Sequence, residues 1–314
     1  MLCGLRSRMA WSTAAIAIGL TLAMSAGSVG YAKAEQASYA SAEEAVAGLV
    51  EAARSSDPAE AIVRVLGPDG EDIATSGDPV ADEARLAKFL KAFENGHQVQ
   101  QEDASKAILL VGQDEFPFPI PLVSENGRWR WDTAQGLDEV LTRRIGENEL
   151  ATIEVMLGYA AAQLEYAEQE RDGKGLQYAR RLMSRDGRKD GLYWAVSEGE
   201  EPSPIGPLVA EAQRKGYSGS GSGSAYNGYI FRILYGQGKH ASDGARDYIV
   251  NDRMIGGFGL IATPADYGNS GVMTFIVNQD GDVYEKDLGP DSAERAARIK
   301  LFDPDSSWKK VESE

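Results

Sequence analysis

A chain of 314 residues with 43% apolar and 25% charged side chains has the length for two domains and the apolar material for real cores. Its 32 basic and 48 acidic residues give a net charge of -16, which repels phosphate backbones and anionic headgroups and argues against nucleic acid as a partner. The one cysteine, Cys3, and the two histidines, His97 and His240, leave little for a Cys/His zinc site, and after residue 34 nothing for a disulfide or a thiol nucleophile.

The first 34 residues have the order of a secretory signal peptide. Arg6 and Arg8 are followed by an uncharged run from Met9 to Val29, then by Tyr31-Ala32-Lys33-Ala34, an Ala-x-Ala cleavage site ending at Ala34. A run of about 20 uncharged residues is also long enough to anchor in a bilayer, but Gly, Ser and Thr dilute it and a cleavage site follows. No second apolar run of spanning length occurs. The expectation is an exported protein of the periplasm or outside the cell, with no membrane span after cleavage.

Residues 40–140 read as a first α+β domain. Ser41 and Glu44 form a capping box that opens an Ala-rich helix, and Ala59 to Leu66 is a second short helix after Asp57-Pro58. Leu86, Phe89, Leu90 and Phe93 share one face of a third helix that stops at Asn95-Gly96. The period then changes to that of strands at Ala107 to Val111, Phe116 to Val123 and Arg128 to Trp131, with a turn at Glu125-Asn126-Gly127. Pro117, Pro119 and Pro121 suit an edge strand or an irregular loop, and Trp129 and Trp131 share a face that core packing explains.

Residues 141–314 read as a second unit, a long helix followed by an antiparallel meander. The helix is expected over Glu147 to Gln169, with a wide apolar stripe of Leu150, Ile153, Val155, Leu157, Ala160, Ala161, Leu164 and Ala167. A further helical stretch is expected at Leu176 to Met183, then a Pro-rich passage from Glu201 to Pro207 and a flexible Ser/Gly loop over 218–224. Strands follow at Tyr229 to Leu234, Tyr248 to Val250, Phe258 to Ala262, Met273 to Val277 and Val283 to Glu285, with a hairpin turn over Asn278 to Gly281. The closing residues, Pro304 to Glu314, form a polar tail anchored by Trp308.

No catalytic, cofactor or metal site is expected. Gly236-Gln-Gly-Lys239 lacks phosphate-loop spacing, and Lys174 stands where a calcium loop over Asp172 to Gly175 would need an acid. Asp280, Asp282 and Asp287 fall short of the six to eight oxygens calcium takes. Ser270 lacks a nearby base and the flanks of a nucleophile elbow, and His97 and His240 read as exposed loop residues. Gly256-Gly257 suits a turn or bulge.

Three resemblances follow from these segments. Helices followed by a curled hairpin sheet ending in Gly127-Arg-Trp-Arg-Trp-Asp132 resemble cone-shaped nuclear transport factor 2-like domains, which implies a pocket or a packed cone. Tyr226 to Leu234, Asp247 to Phe258, Gly271 to Gly289, Arg143 to Leu150, Asp190 to Trp194 and Pro202 to Leu208 resemble the exported bacterial domain of unknown function 2950 family, which carries no assigned activity. The helix with Ala161-Ala-Gln-Leu-Glu-Tyr-Ala167 and the strands after it resemble type IV pilins and pseudopilins. In those proteins the assembling helix is apolar and N-terminal; here it is internal and charged, so filament assembly by that route is not implied. Together the residues point to a non-enzymatic interaction or structural module whose partner is another envelope protein. The rival reading is a small-molecule binder, or a hydrolase- or isomerase-type enzyme, using a pocket in the first domain.

Overall fold

The computed structural model describes residues 36–171, 173–197, 199–217 and 224–312. The leader, its cleavage position at Ala34, Asp172 and nearly all of the Ser/Gly loop lie outside the described residues. From residue 34 onward the chain clusters as one compact unit, with mixed helix and antiparallel sheet.

Side-chain caps start the first helices. Ser41 Oγ accepts from Glu44 N at 3.1 Å while Glu44 Oε2 accepts from Ala40 N at 3.0 Å, so the capping box opens α1 (Ala42–Ala53). Asp57 caps α2 (Pro58–Leu66), which starts on proline. A 3-10 turn at Pro68–Gly70 leads into the single turn α3 (Glu71–Ala74), and Asp78 caps α4 (Pro79–Asn95). The strands are β1 (His97–Asp103), β2 (Lys106–Val111), β3 (Phe116–Pro117), β4 (Leu122–Glu125) and β5 (Arg128–Trp131). They pair antiparallel in the order β1-β2-β4-β5, with β3 on β2. Asn126 and Gly127 both take positive φ, the backbone of a tight two-residue hairpin turn. One face of this sheet packs into a side-chain core. Ala107, Leu109, Ile120, Leu122 and Trp131 are fully buried against α1 and α2, and the Trp131 indole donates to Ala45 O at 3.2 Å.

The helix expected from Glu147 starts fourteen residues earlier: α5 runs from Thr133 to Ala167. It passes the 140/141 boundary unbroken and, at 1.5 Å per residue, is about 52 Å long. Gly136, a poor helix former, is what the packing needs there. A Cβ at Gly136 would lie 2.7 Å from Ile120 Cα and 2.8 Å from Pro119 O, so the helix seats on the loop before β4 only through a bare backbone. Gly136→Ala is therefore expected to lower stability by about 1–3 kcal/mol despite alanine's better helix propensity, measurable by urea unfolding.

The polarity of α5 departs from the expected stripe. Leu150, Leu157 and Leu164 are 67%, 44% and 49% exposed, whereas Arg144, Asn148, Thr152 and Gln163 are buried beside Met156, Tyr159 and Tyr166. Nor is Leu176 to Met183 helical. Its peptide groups pair outward, Tyr178 N donating to Met254 O at 2.8 Å. The buried Gln163 amide meets both polar groups of Ala179 at 2.8 Å, like a strand neighbour. These tertiary bonds outweigh local helix propensity. The Pro-rich passage leads instead into α6 (Gly206–Arg214), whose Leu208 packs near Gly158.

The second sheet is built from β6 (Tyr229–Leu234), then the short pairs β7 (Gly236–Gln237) with β8 (Arg246–Asp247) and β9 (Ile249–Val250) with β10 (Arg253–Met254), then β11 (Gly259–Pro264), β12 (Met273–Asn278) and β13 (Val283–Asp287). After α7 (Ser292–Arg298), β14 (Lys309–Lys310) closes an antiparallel sheet in the order β14-β13-β12-β11-β6, so the polar tail joins the sheet edge. Period-two alternation gives it two cores. Leu260, Phe275 and Val277 pack toward α5 with Met156, Tyr159 and Phe258, while Ile261 and Ile276 pack toward α7 with Leu288 and Phe302.

Candidate functional site

The densest polar constellation lies where α3, α4 and α5 meet the turns at 227–228 and 266–272. Asp78, 1% exposed, caps α4 through Ala81 N at 3.1 Å. Its other oxygen accepts from Tyr217 Oη at 2.7 Å and from Gly228 N at 2.9 Å. Gly228 takes φ +76°, and a Cβ there would press on the Asn148 amide at 2.5 Å, so glycine serves both the turn and the close approach. Ser76 N and Oγ bond Asp82 at 2.9 and 2.6 Å, and Arg85 links Asp82 at 3.0 Å to Asn148 at 3.2 Å. Asn148 Nδ2 donates onward to Ser270 O at 2.8 Å.

Arg144 lies deeper in the same cluster. Its guanidinium donates to Asp72 O at 2.6 Å, to Ile73 O at 2.9 Å and to Asn269 Oδ1. Asn269 Nδ2 in turn donates to Thr75 O at 2.8 Å and Asp266 Oδ2 at 3.0 Å. Burial pushes the Arg144 guanidinium down to about 10, with Arg85 adding repulsion, and burial with Asp78 beside it raises the Tyr217 phenol. Nearby, Glu149 Oε1 accepts the Val272 and Met273 amides, both at 2.9 Å. Apart from the buried Arg144 Nε, which has no partner among the described residues, the acids, amides and cations here are engaged with one another and with backbone groups, which is how a joint is made between distant segments.

The residues weighed in the sequence scatter across the fold. Ser270 is buried and bonded to Asp266 backbone atoms at 2.9 and 3.1 Å. His97 begins β1, exposed, its ring stacked on Phe93 with centroids 3.7 Å apart. His240 Nδ1 lies 3.0 Å from Asp303. Asp280 accepts from Ser242 and Asn278, Asp282 pairs with Lys310 at 2.7 Å, and Asp287 accepts from Tyr267 at 3.1 Å and Gly289 N at 2.7 Å, so the three acids serve three separate contacts. Gly236 and Gln237 are strand β7. Lys174 and Arg180 pair with Asp252 at 2.9 and 2.7 Å, and their hydrogen bonds pull its carboxyl down to about 2. Among the described residues, no three His, Cys, Asp or Glu side chains are grouped to hold a metal ion.

The fold and this joint define an α+β protein in which one long helix contributes to two cores, each closed by an antiparallel sheet. The chain belongs to the family described as "Protein of unknown function (DUF2950)", whose model matches residues 36–311. No curated protein and no solved structure matches it. Among the described residues, no helix is long and apolar enough to cross a membrane.

Proposed function

We propose that this is an exported, non-enzymatic envelope protein whose α5 helix docks another envelope protein. The observation that carries the reading is the exposed row Leu150, Leu157 and Leu164, spaced by seven and thus stacked about 10 Å apart on one side of the helix. The inward face of α5 is already satisfied by the buried polar groups, so the leucines have no role in the cores. Glu147, Glu154, Glu165 and Glu168 lie exposed along the row. Charge complementarity therefore selects a partner that presents an apolar strip edged by Lys or Arg, and works against a second copy of this acidic chain. The cone-like first half and the pilin-like pairing of long helix and meander would then act as rigid supports for that face. The side-chain core on one face of the first sheet weighs against a ligand pocket there.

The test is a photo-crosslinking residue at position 157 in living cells, with one at the exposed Leu176 as control. The expected result is an adduct at 157 alone, with an identified partner carrying a basic-edged apolar strip. Its binding to purified protein should weaken with salt and fall about a hundredfold in Leu150→Ser/Leu157→Ser/Leu164→Ser. Equal adducts at both positions, or unchanged binding by the triple variant, would remove the reading. The unprocessed chain found in the cytosol of intact cells would remove the export part.

A further inference from the structure

A second feature lies apart from α5, on the α7 face of the second sheet. A hollow of about 380 Å³ opens between β13, the end of α7 and the loop leading to β14. Its floor is apolar: Ile276 is fully buried and Leu288 nearly so, with Ile299 and Trp308 half-buried beside them. Lys286, Arg298 and Lys300 ring it, a concentration of cations unusual in a chain of net charge -16. These cations are weakly engaged. Lys286 donates at 2.6 Å to Ser307 Oγ, which is bonded in turn to Asp305, and lies 5.7 Å over the Trp308 ring, but no carboxylate lies within ion-pair distance of it among the described residues. Arg298 reaches Glu294 only at 3.6 Å, with both side chains 78% exposed, and Lys300 has no ion pair among the described residues. The one acid of the lining, Asp303, is occupied: one of its oxygens accepts the His240 amide at 2.8 Å and faces the His240 ring at 3.0 Å.

We infer that this hollow binds a small organic anion, a carboxylate or sulfonate on a flat apolar body. The body lies against Trp308, Ile299 and the Ile276 floor, and the anionic group sits between the Lys286 and Lys300 ammonium groups. The apolar floor supplies affinity that an inorganic ion would lack, and the lysines supply selection for negative charge. The site is independent of the docking face on α5.

The test uses naphthoate as probe, followed through the Trp308 indole N–H resonance of the full chain, assigned by its loss in Trp308→Phe. Naphthoate is expected to shift that resonance saturably. Lys286→Gln and Lys300→Gln should each weaken binding about tenfold, and neutral naphthalenemethanol should bind wild type about tenfold more weakly than naphthoate. Lys309→Gln, whose lysine pairs with Glu285 outside the hollow, should leave binding unchanged. A resonance that does not move, a neutral analogue that binds as well, or lysine variants that bind normally would each overturn the assignment.

Discussion

Arg144→Ala is expected to lower the unfolding free energy by about 3–5 kcal/mol. The side chain is 5% exposed, and its planar fork meets three oxygens. Two of them, Asp72 O and Ile73 O, belong to α3, a single turn of helix whose last carbonyls have no intrahelical partner. Arg144 therefore caps α3 from the side, and a cation is favoured at that end of a helix. Truncation leaves these part-buried carbonyls and the buried Asn269 Oδ1 without their donor. Arg144→Lys should recover less than half of the loss, because one ammonium cannot match the fork. Denaturant midpoints at constant slope measure both. A loss below about 1 kcal/mol for the alanine variant would show that water or a shifted side chain takes over the bonds.

What was legible in the sequence follows the same physics. The capping box at Ser41, the stop at Asn95-Gly96 and the Asn126-Gly127 hairpin were readable because each is fixed by bonds within a few residues. Strands β6, β11, β12 and β13 of the second sheet were readable because each is short, bounded by turns and rich in apolar and β-branched residues, whereas β14 was expected only as a polar tail. The joint was not. Its long-range bonds connect residues 63 to 194 apart, such as Arg85 with Asn148 and Asn269 with Thr75, and no local spacing signals them.

The inverted polarity of α5 was illegible for a related reason. A stripe of leucines is normally the buried side of a helix. Here the helix packs against irregular segments whose peptide groups lack ladder partners, and Arg144, Asn148 and Gln163 supply the missing donors and acceptors. Polar side chains were drawn inward to satisfy backbone, and the leucines were left outside. The unfulfilled expectation of a helix at Leu176 to Met183 is the other side of this exchange, since Gln163 holds that strand-like segment in place.

Raising the pH is expected to unfold the protein steeply from about pH 11 to 13. Tyr159, Tyr229 and Tyr248 are fully buried, their hydroxyls donating to Gly259 O at 3.2 Å, Met273 O at 2.9 Å and Gln237 Oε1 at 3.1 Å. Burial pushes all three phenols well above their ordinary range, and Glu149 adds to the effect at Tyr229. A raised native value means that the folded state keeps protons that the unfolded chain releases above about pH 10. The stabilisation is complete below that pH and is lost as pH climbs toward the native values. Each tyrosine removes about 1.4 kcal/mol per pH unit, and Tyr217, raised by burial and by Asp78 beside it, adds a fourth, so the four together remove about 5 to 6, enough to exhaust a stability of 5–15 kcal/mol within a few units. Circular dichroism and tyrosinate absorbance should change together, with the buried phenols ionising only as the fold is lost. Tyr159→Phe, which loses one hydroxyl, should reduce the slope by about a quarter. Reversible ionisation of every tyrosine near pH 10 with the fold intact would contradict the burial of these three phenols.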